Sequence, residues 1–183
     1  MNLFIVPSWY PNPVNPIAGI FIREQAEALV DLASDVRVMV STWGHGAGVL
    51  SPRMLKLALE TLRWRIKQNA DQIKLCNGVH EIFNPALTWS DRLPFGGVSQ
   101  LLAVNRKNLQ LAIKTYGKVD LMHAHVSYPG GYIASVLSSE FGIPYVLTEH
   151  MSPFPFPSLM HQNRPLPEID MAFADAAEPS LEA

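Results

Sequence analysis

Apolar positions in this chain fall into short continuous runs separated by stripes at helical spacing, and their order predicts alternating strands and helices. Leu3-Phe4-Ile5-Val6 is an apolar run that Pro7-Ser8-Trp9-Tyr10-Pro11-Asn12-Pro13 stops with residues unable to continue a ladder or a helix. It predicts a buried strand. After a loop reaching Gly19, residues Phe21, Ile22, Ala26, Leu29, Val30 and Ala33 recur at helical spacing, with Arg23, Glu24, Glu27 and Asp31 between them. Val36, Val38 and Val40 then alternate with Arg37 and Met39 in a β-branched run ending at Ser41. Strand, helix, strand in this order is the unit of a parallel sheet.

The pattern continues. Ser51-Pro52 has cap and first-turn chemistry, and Leu55, Leu59, Leu62 and Ile66 follow with Arg53, Lys56, Arg63, Arg65 and Lys67 around them, a basic helix over residues 51–67. Residues 79–83 predict a third strand, and Leu101, Leu102, Val104, Leu109, Ala112 and Ile113 a long helix ending near Gly117. A strand over 119–122, a helix over 130–141 closed by Gly142, and a strand over 144–148 complete the series. At Ser152-Pro153-Phe154-Pro155-Phe156-Pro157 the pattern fails, because prolines at this density fit neither a helix nor a central strand. The division is therefore a folded domain over residues 1–158 and a Pro-rich, then acidic and Ala-rich tail over 159–183. A short helix over 171–177 is compatible with its alanines but shows no strong apolar face, so the tail is expected to be loose or docked.

At 183 residues and 48% apolar content the chain has room for one domain with a real core. Only 16% of residues are charged, which suggests that part of the surface is covered by a partner. Glu168, Asp170, Asp175, Glu178 and Glu182 sit together in the tail; without them 14 basic residues face 11 acidic ones. That balance suits an anionic ligand or an acidic membrane surface, and it lacks the basic stripe of a nucleic-acid binder. The basic helix, with its leucines and Trp64, suits contact with an acidic bilayer, against the plainer reading of a solvated charged face. The single cysteine, Cys76, excludes an intrachain disulfide framework and fits a reducing compartment. No basic region precedes the first apolar run, so no signal peptide or membrane span is expected, and the predicted location is cytoplasmic, with peripheral membrane contact allowed.

In an open parallel sheet, ligands bind beyond the C-terminal strand ends. Gly19, at the start of the first helix, would let a phosphate oxygen approach its N–H; the alternative is a glycine chosen for loop conformation. Neither Gly-x-Gly-x-x-Gly nor Gly-x-x-x-x-Gly-Lys occurs, which argues against an NAD-binding Rossmann domain and a P-loop NTPase. His123-Ala-His125 ends a predicted strand, and the period of two sends both imidazoles to one side of the sheet. A zinc site built on them would need a third ligand, for which His150 ranks ahead of His45, His80 and His161. Thr148-Glu149-His150 ends the next strand and brings a carboxylate and an imidazole to the same rim as His125, the plainer role for Glu149 being to orient a histidine or cap a helix. Ser127-Tyr128-Pro129-Gly130-Gly131 opens a helix whose amides suit an anion or a hydroxyl-rich group. Trp9 and Tyr10 serve either as packing under the first loop or as a stacking wall for a sugar or base.

The stretch Asp120-Leu-Met-His-Ala-His-Val-Ser-Tyr-Pro-Gly-Gly, continuing to Gly142-Ile-Pro-Tyr-Val-Leu-Thr-Glu-His150, closely resembles the N-terminal domain of family 4, or group 1, retaining glycosyltransferases. So does the opening, where Asn15-Pro-Ile-Ala-Gly19 leads into Phe21-Ile-Arg-Glu-Gln-Ala-Glu-Ala-Leu29. The resemblance covers residues 1 to about 158. It implies the N-terminal, acceptor-side half of a GT-B fold, a Rossmann-like parallel sheet with helices on both faces. The nucleotide-sugar-binding domain of that fold has no counterpart here, as in a truncated product. It further implies that Gly19 lies near the donor diphosphate, that His125 acts beside the transferring sugar, and that His150 lines the same cleft; Trp9, Tyr10, His123, Ser127, Tyr128, Gly130, Thr148 and Glu149 are the further cleft candidates on the residue reading. The nucleotide-sugar would be a substrate rather than a cofactor, the acceptor a saccharide or a lipid-linked one, and no metal is required. The chain alone is expected to be inactive, and its exposed interdomain face would suit a homodimer. The competing readings are a sugar-nucleotide epimerase or His-based metal hydrolase, and a non-catalytic binding module.

Overall fold

A computed structural model describes residues 1–12, 15–44, 55–86, 97–152, 154, 159–161, 164–174 and 176 of the chain. The predicted cap at Ser51-Pro52, His45 and most of the proline cluster lie outside the described residues, as do the side chains of residues 55–58, 61 and 161. The first unit is β1 (Asn2–Pro7), α1 (Ile20–Leu32) and β2 (Arg37–Thr42). It is followed by α2 (Leu55–Lys67), β3 (Gln72–Cys76), β4 (Val79–Phe83), α3 (Val98–Tyr116) and β5 (Leu121–His125). A wide helical turn (Ser127–Gly131) leads into α4 (Tyr132–Phe141) and β6 (Tyr145–Thr148). The tail adds a two-residue ribbon, β7 (Met160–His161) with β8 (Arg164–Pro165), and α5 (Pro167–Ala174).

Six strands form one sheet in the order β3-β4-β2-β1-β5-β6. Every pairing from β4 through β6 is parallel, as the alternation predicts. β3, which the apolar pattern did not reveal, pairs antiparallel with β4 at the edge. Its alternate residues Gln72 and Lys74 are polar, and as an edge strand it is covered too little to need a hydrophobic run. The chain thus folds as a Rossmann-like α/β domain with one antiparallel edge.

Helices cover both faces. Phe4, Val6, Met39, Ile82, Met122 and Ala124 point to one side, where Leu109 and Ala112 of α3 and Ile133, Ala134 and Leu137 of α4 close over them. Leu3, Ile5, Val38, Val40 and Val79 point to the other, against Ile22 and Ala26 of α1. This two-sided burial explains why β1 reads as a continuous apolar run rather than an alternating one. Gly142 ends α4 in the left-handed conformation expected of a C-terminal glycine.

The tail corrects the sequence reading. Its helix starts four residues earlier than expected and does have an apolar face: Ile169 and Ala172 are buried as α5 packs on α4 and the wide turn. The Tyr145 hydroxyl donates to the Ala172 carbonyl at 2.8 Å, satisfying one of the helix's terminal acceptors.

Candidate functional site

β1 is the point where the strand order reverses, with β2 on one side and β5 on the other. In a doubly wound sheet that crevice is where ligands bind. The chain leaves β5 through Val126, whose φ of 72° is a left-handed conformation that a β-branched residue adopts only under constraint from its surroundings. The constraint is visible. Val126 N–H donates to the Thr148 carbonyl at 2.8 Å, and Ser8, just past β1, donates its hydroxyl to the His125 carbonyl at 2.9 Å while accepting the Gly130 N–H at 2.9 Å. A Cβ on Gly130 would lie 2.8 Å from the His125 carbonyl oxygen and 2.9 Å from that of Val6, so only glycine lets the turn close this tightly.

The elbow aims the imidazoles. His123 and His125 lie on one side of the sheet, their ring centroids 4.1 Å apart. His123 Nε2 shares a hydrogen bond with Thr148 Oγ1 at 2.8 Å. His125 Nδ1 lies 2.9 Å from His150 Nε2. Those two rings are within 8° of parallel with centroids 5.2 Å apart. That separation matches the N···N distance plus the two ring radii, so the rings meet edge to edge in one plane instead of stacking face on face. His125 has no exposed surface, whereas His150 is exposed and rests against Phe21 in the first turn of α1, ring centroids 4.5 Å apart. Burial, with smaller contributions from His123 and His150, pushes the His125 imidazole down to about 3. Burial and then His150 also lower His123.

Glu149 takes the capping role. Its carboxylate accepts the N–H groups of Ser127 at 2.9 Å and of His150 and Met151 at 2.8 Å each. Burial by itself would raise this carboxyl, but those donors outweigh it and hold it below the ordinary range.

Several predicted contacts are committed internally. The Ser127, Gly130 and Gly131 amides, expected to face a ligand, donate instead to Glu149, Ser8 and the Val126 carbonyl. Ser127 and Gly130 are buried, while Tyr128 stays partly open beside them. Gly19 caps α1 with φ 64°, and a Cβ there would fall 2.4 Å from the Trp9 carbonyl oxygen. The close approach of the first loop therefore accounts for this glycine without a ligand. The postulated zinc cluster does not assemble: the His125 and His150 nitrogens point at each other at hydrogen-bond distance, too close to admit an ion with bonds of about 2 Å to each. Among the described residues no group of three or more His, Cys, Asp or Glu is placed to hold a metal. His80 stands apart, bonded to the Tyr116 hydroxyl at 2.9 Å.

On the opposite flank of β1 lies a cavity of about 490 Å³, within the usual range for small-molecule sites. Trp9, Tyr10, Trp43, Trp64 and Phe83 wall it, which puts both first-loop aromatics on the lining of one cavity. Lys74 and Glu81, cross-strand partners on β3 and β4, supply charge. Tyr10 is buried and its hydroxyl lacks a well-formed hydrogen bond; burial first, and the nearby Glu81 carboxylate second, raise that phenol. Thr42, on the cavity wall, is tied to α3 by buried Asn108, which donates to Ser41 Oγ at 2.9 Å and the Thr42 carbonyl at 3.0 Å and accepts from Asn84 at 2.9 Å. Sequence reasoning did not single out Trp43, Lys74 or Glu81, and it read Trp64 only as part of a membrane-facing helix. Trp43 had a usable signal, since it follows β2 as Ser8-Trp9 follow β1.

No protein-family model matches the chain. Over 156 residues, 83% of its length, it is 31% identical to TuaC of Bacillus subtilis (strain 168), a protein provisionally named a teichuronic acid biosynthesis glycosyltransferase. The aligned stretch spans 36% of that relative's length.

Proposed function

We propose that this chain forms the acceptor-side half of a retaining glycosyltransferase that moves a sugar from a nucleotide-sugar to a saccharide or lipid-linked acceptor. The observation that carries the reading is the aromatic cavity beside the β1 end. Flat indole and phenol surfaces suit the C–H face of a pyranose, and the Glu81 carboxylate and Lys74 ammonium suit its hydroxyls. Likeness to TuaC supports the same class of chemistry. In this reading His150, backed by the buried His125 ring, and the first turn of α1 face the transferring sugar and the departing diphosphate, whose charge the helix dipole favours. The donor-binding groups belong to a second domain, so the 183 residues alone lack transfer activity.

Titration with mono- and disaccharides, followed by tryptophan fluorescence from the cavity walls, tests the reading. Saturable quenching is expected, weakened about tenfold or more in Glu81→Gln, the loss for a charge-assisted hydrogen bond. Absence of quenching by every sugar tried, or quenching indifferent to Glu81→Gln and Trp43→Ala, overturns it.

The acceptor arrives at a membrane in the lipid-linked case. On α2, Leu59, Leu62 and Ile66 are 46%, 44% and 74% exposed at helical spacing, with Arg63 and Lys67 beside them. No described helix is long and apolar enough to cross a membrane, and this face suits lying on one, each cation adding about 1 kcal/mol near an anionic surface. Cosedimentation with phosphatidylserine vesicles, lost in Leu62→Glu/Ile66→Glu and absent with neutral vesicles, is the expected result.

A further inference from the structure

The histidine pair has one exposed member and one buried member, and its hydrogen-bond accounting leaves two arrangements. Either His150 Nε2–H donates to His125 Nδ1, or His125 Nδ1–H donates to His150 Nε2. Among the described residues, His125 Nε2 is buried with no hydrogen-bond partner. The first arrangement places a proton on that atom, leaving a buried N–H without an acceptor. The second leaves a bare lone pair there. An orphaned buried donor is the rarer and costlier defect, and an unused acceptor site is tolerated more often.

We propose that His125 is a positioning residue that donates Nδ1–H to His150 and thereby fixes exposed His150 with its proton on Nδ1, as the hydrogen-bond donor offered to an oxygen of the ligand. The surroundings hold this geometry from four sides. Phe21 packs against the His150 ring. Glu149 binds the His150 backbone N–H. The 8° coplanarity aligns the shared hydrogen bond, and His123, itself tied to Thr148, lies against the His125 ring. An imidazole in water favours the proton on Nε2, so this arrangement inverts the default at His150. The inverted tautomer turns the free nitrogen of the exposed ring into a donor, suited to a phosphate or hydroxyl oxygen near the α1 N-terminus. The inference deepens the functional reading above by naming which imidazole meets the ligand. The tautomers themselves are observable without substrate.

The experiment is nitrogen-15 NMR of the histidine-labelled 183-residue chain near neutral pH, where couplings between ring nitrogens and ring carbon-bound protons identify the protonated nitrogen. Both His125 and His150 are expected as Nδ1–H tautomers. His125→Asn, whose side-chain amide keeps a donor near the Nδ1 position, should leave His150 in that form. His125→Ala should return His150 mainly to the Nε2–H form. A wild-type spectrum with the His125 proton on Nε2, or a His150 tautomer unmoved by His125→Ala, overturns the proposal, and the wild-type spectrum decides even where a variant fails to fold. Added sodium pyrophosphate is expected to shift the His150 Nδ1 resonance. Correct tautomers without that shift would count against the diphosphate part of the functional reading and leave the pair intact.

Discussion

Replacing Asn108 should loosen the junction of α3 with the ends of β2 and β4, and the structure sets the size of the effect. Its side chain is fully buried and makes three hydrogen bonds, to Ser41, Thr42 and Asn84, that tie α3 to the ends of β2 and β4. Asn84 passes the tie onward, donating to Asp71 Oδ1 at 3.1 Å ahead of β3. At about 0.5–1.5 kcal/mol net per bond, Asn108→Ala should cost about 3 kcal/mol. Not every partner is orphaned, because the Thr42 carbonyl also accepts the Asn84 N–H at 3.2 Å and Asn84 retains Asp71. For a chain of this size the loss corresponds to a fall of roughly 6–12 °C in Tm, read by far-UV circular dichroism, and to a lower urea midpoint with an unchanged slope. Asn108→Leu separates the causes: it refills the volume but restores no hydrogen bond, so it should remain nearly as destabilised as the alanine variant. A leucine variant as stable as wild type would show that packing, not the polar network, holds this junction, and the reasoning would fail.

Gly19→Ala should destabilise by about 1–3 kcal/mol, because it forces an L side chain into φ 64° and against the Trp9 carbonyl; a melting temperature equal to wild type would contradict this. Stability should fall as pH drops below about 6.5, since the unfolded chain then binds a proton that His125, held near 3, does not. The slope contributed by this one residue is about 1.4 kcal/mol per pH unit at most, and His123 and Glu149 add acid-side losses of the same sign. Urea midpoints measured from pH 7 to pH 4 should show the decline, and His125→Leu should make it shallower; a level profile in the wild type would refute the assignment. Detection of sugar transfer by the purified 183 residues would refute the proposed division of labour between two domains.

Much of the architecture follows from local pattern. The run Leu3-Phe4-Ile5-Val6 had to be a strand covered on both faces, the stripe from Phe21 to Ala33 had to be a helix, and a period of two had to carry His123 and His125 to one side. Each of these depends on spacing within a few residues. The edge strand β3 escaped because a half-exposed edge needs no apolar run, and the tail helix, expected over 171–177 without a strong apolar face, lost its first turn to that reading because only two buried residues, Ile169 and Ala172, dock it. What only the tertiary structure decided is which atoms are left free. The amides of the wide turn are consumed by Ser8, Glu149 and Val126, residues up to 122 positions away in the chain. Of the two rim imidazoles, His125 is shut in and His150 stays open, and the aromatic cavity gathers Trp64 and Glu81 from elements remote in the sequence. Burial and hydrogen-bond satisfaction are properties of the packed whole, so residue type and periodicity bring these groups to one rim, and packing alone assigns their roles.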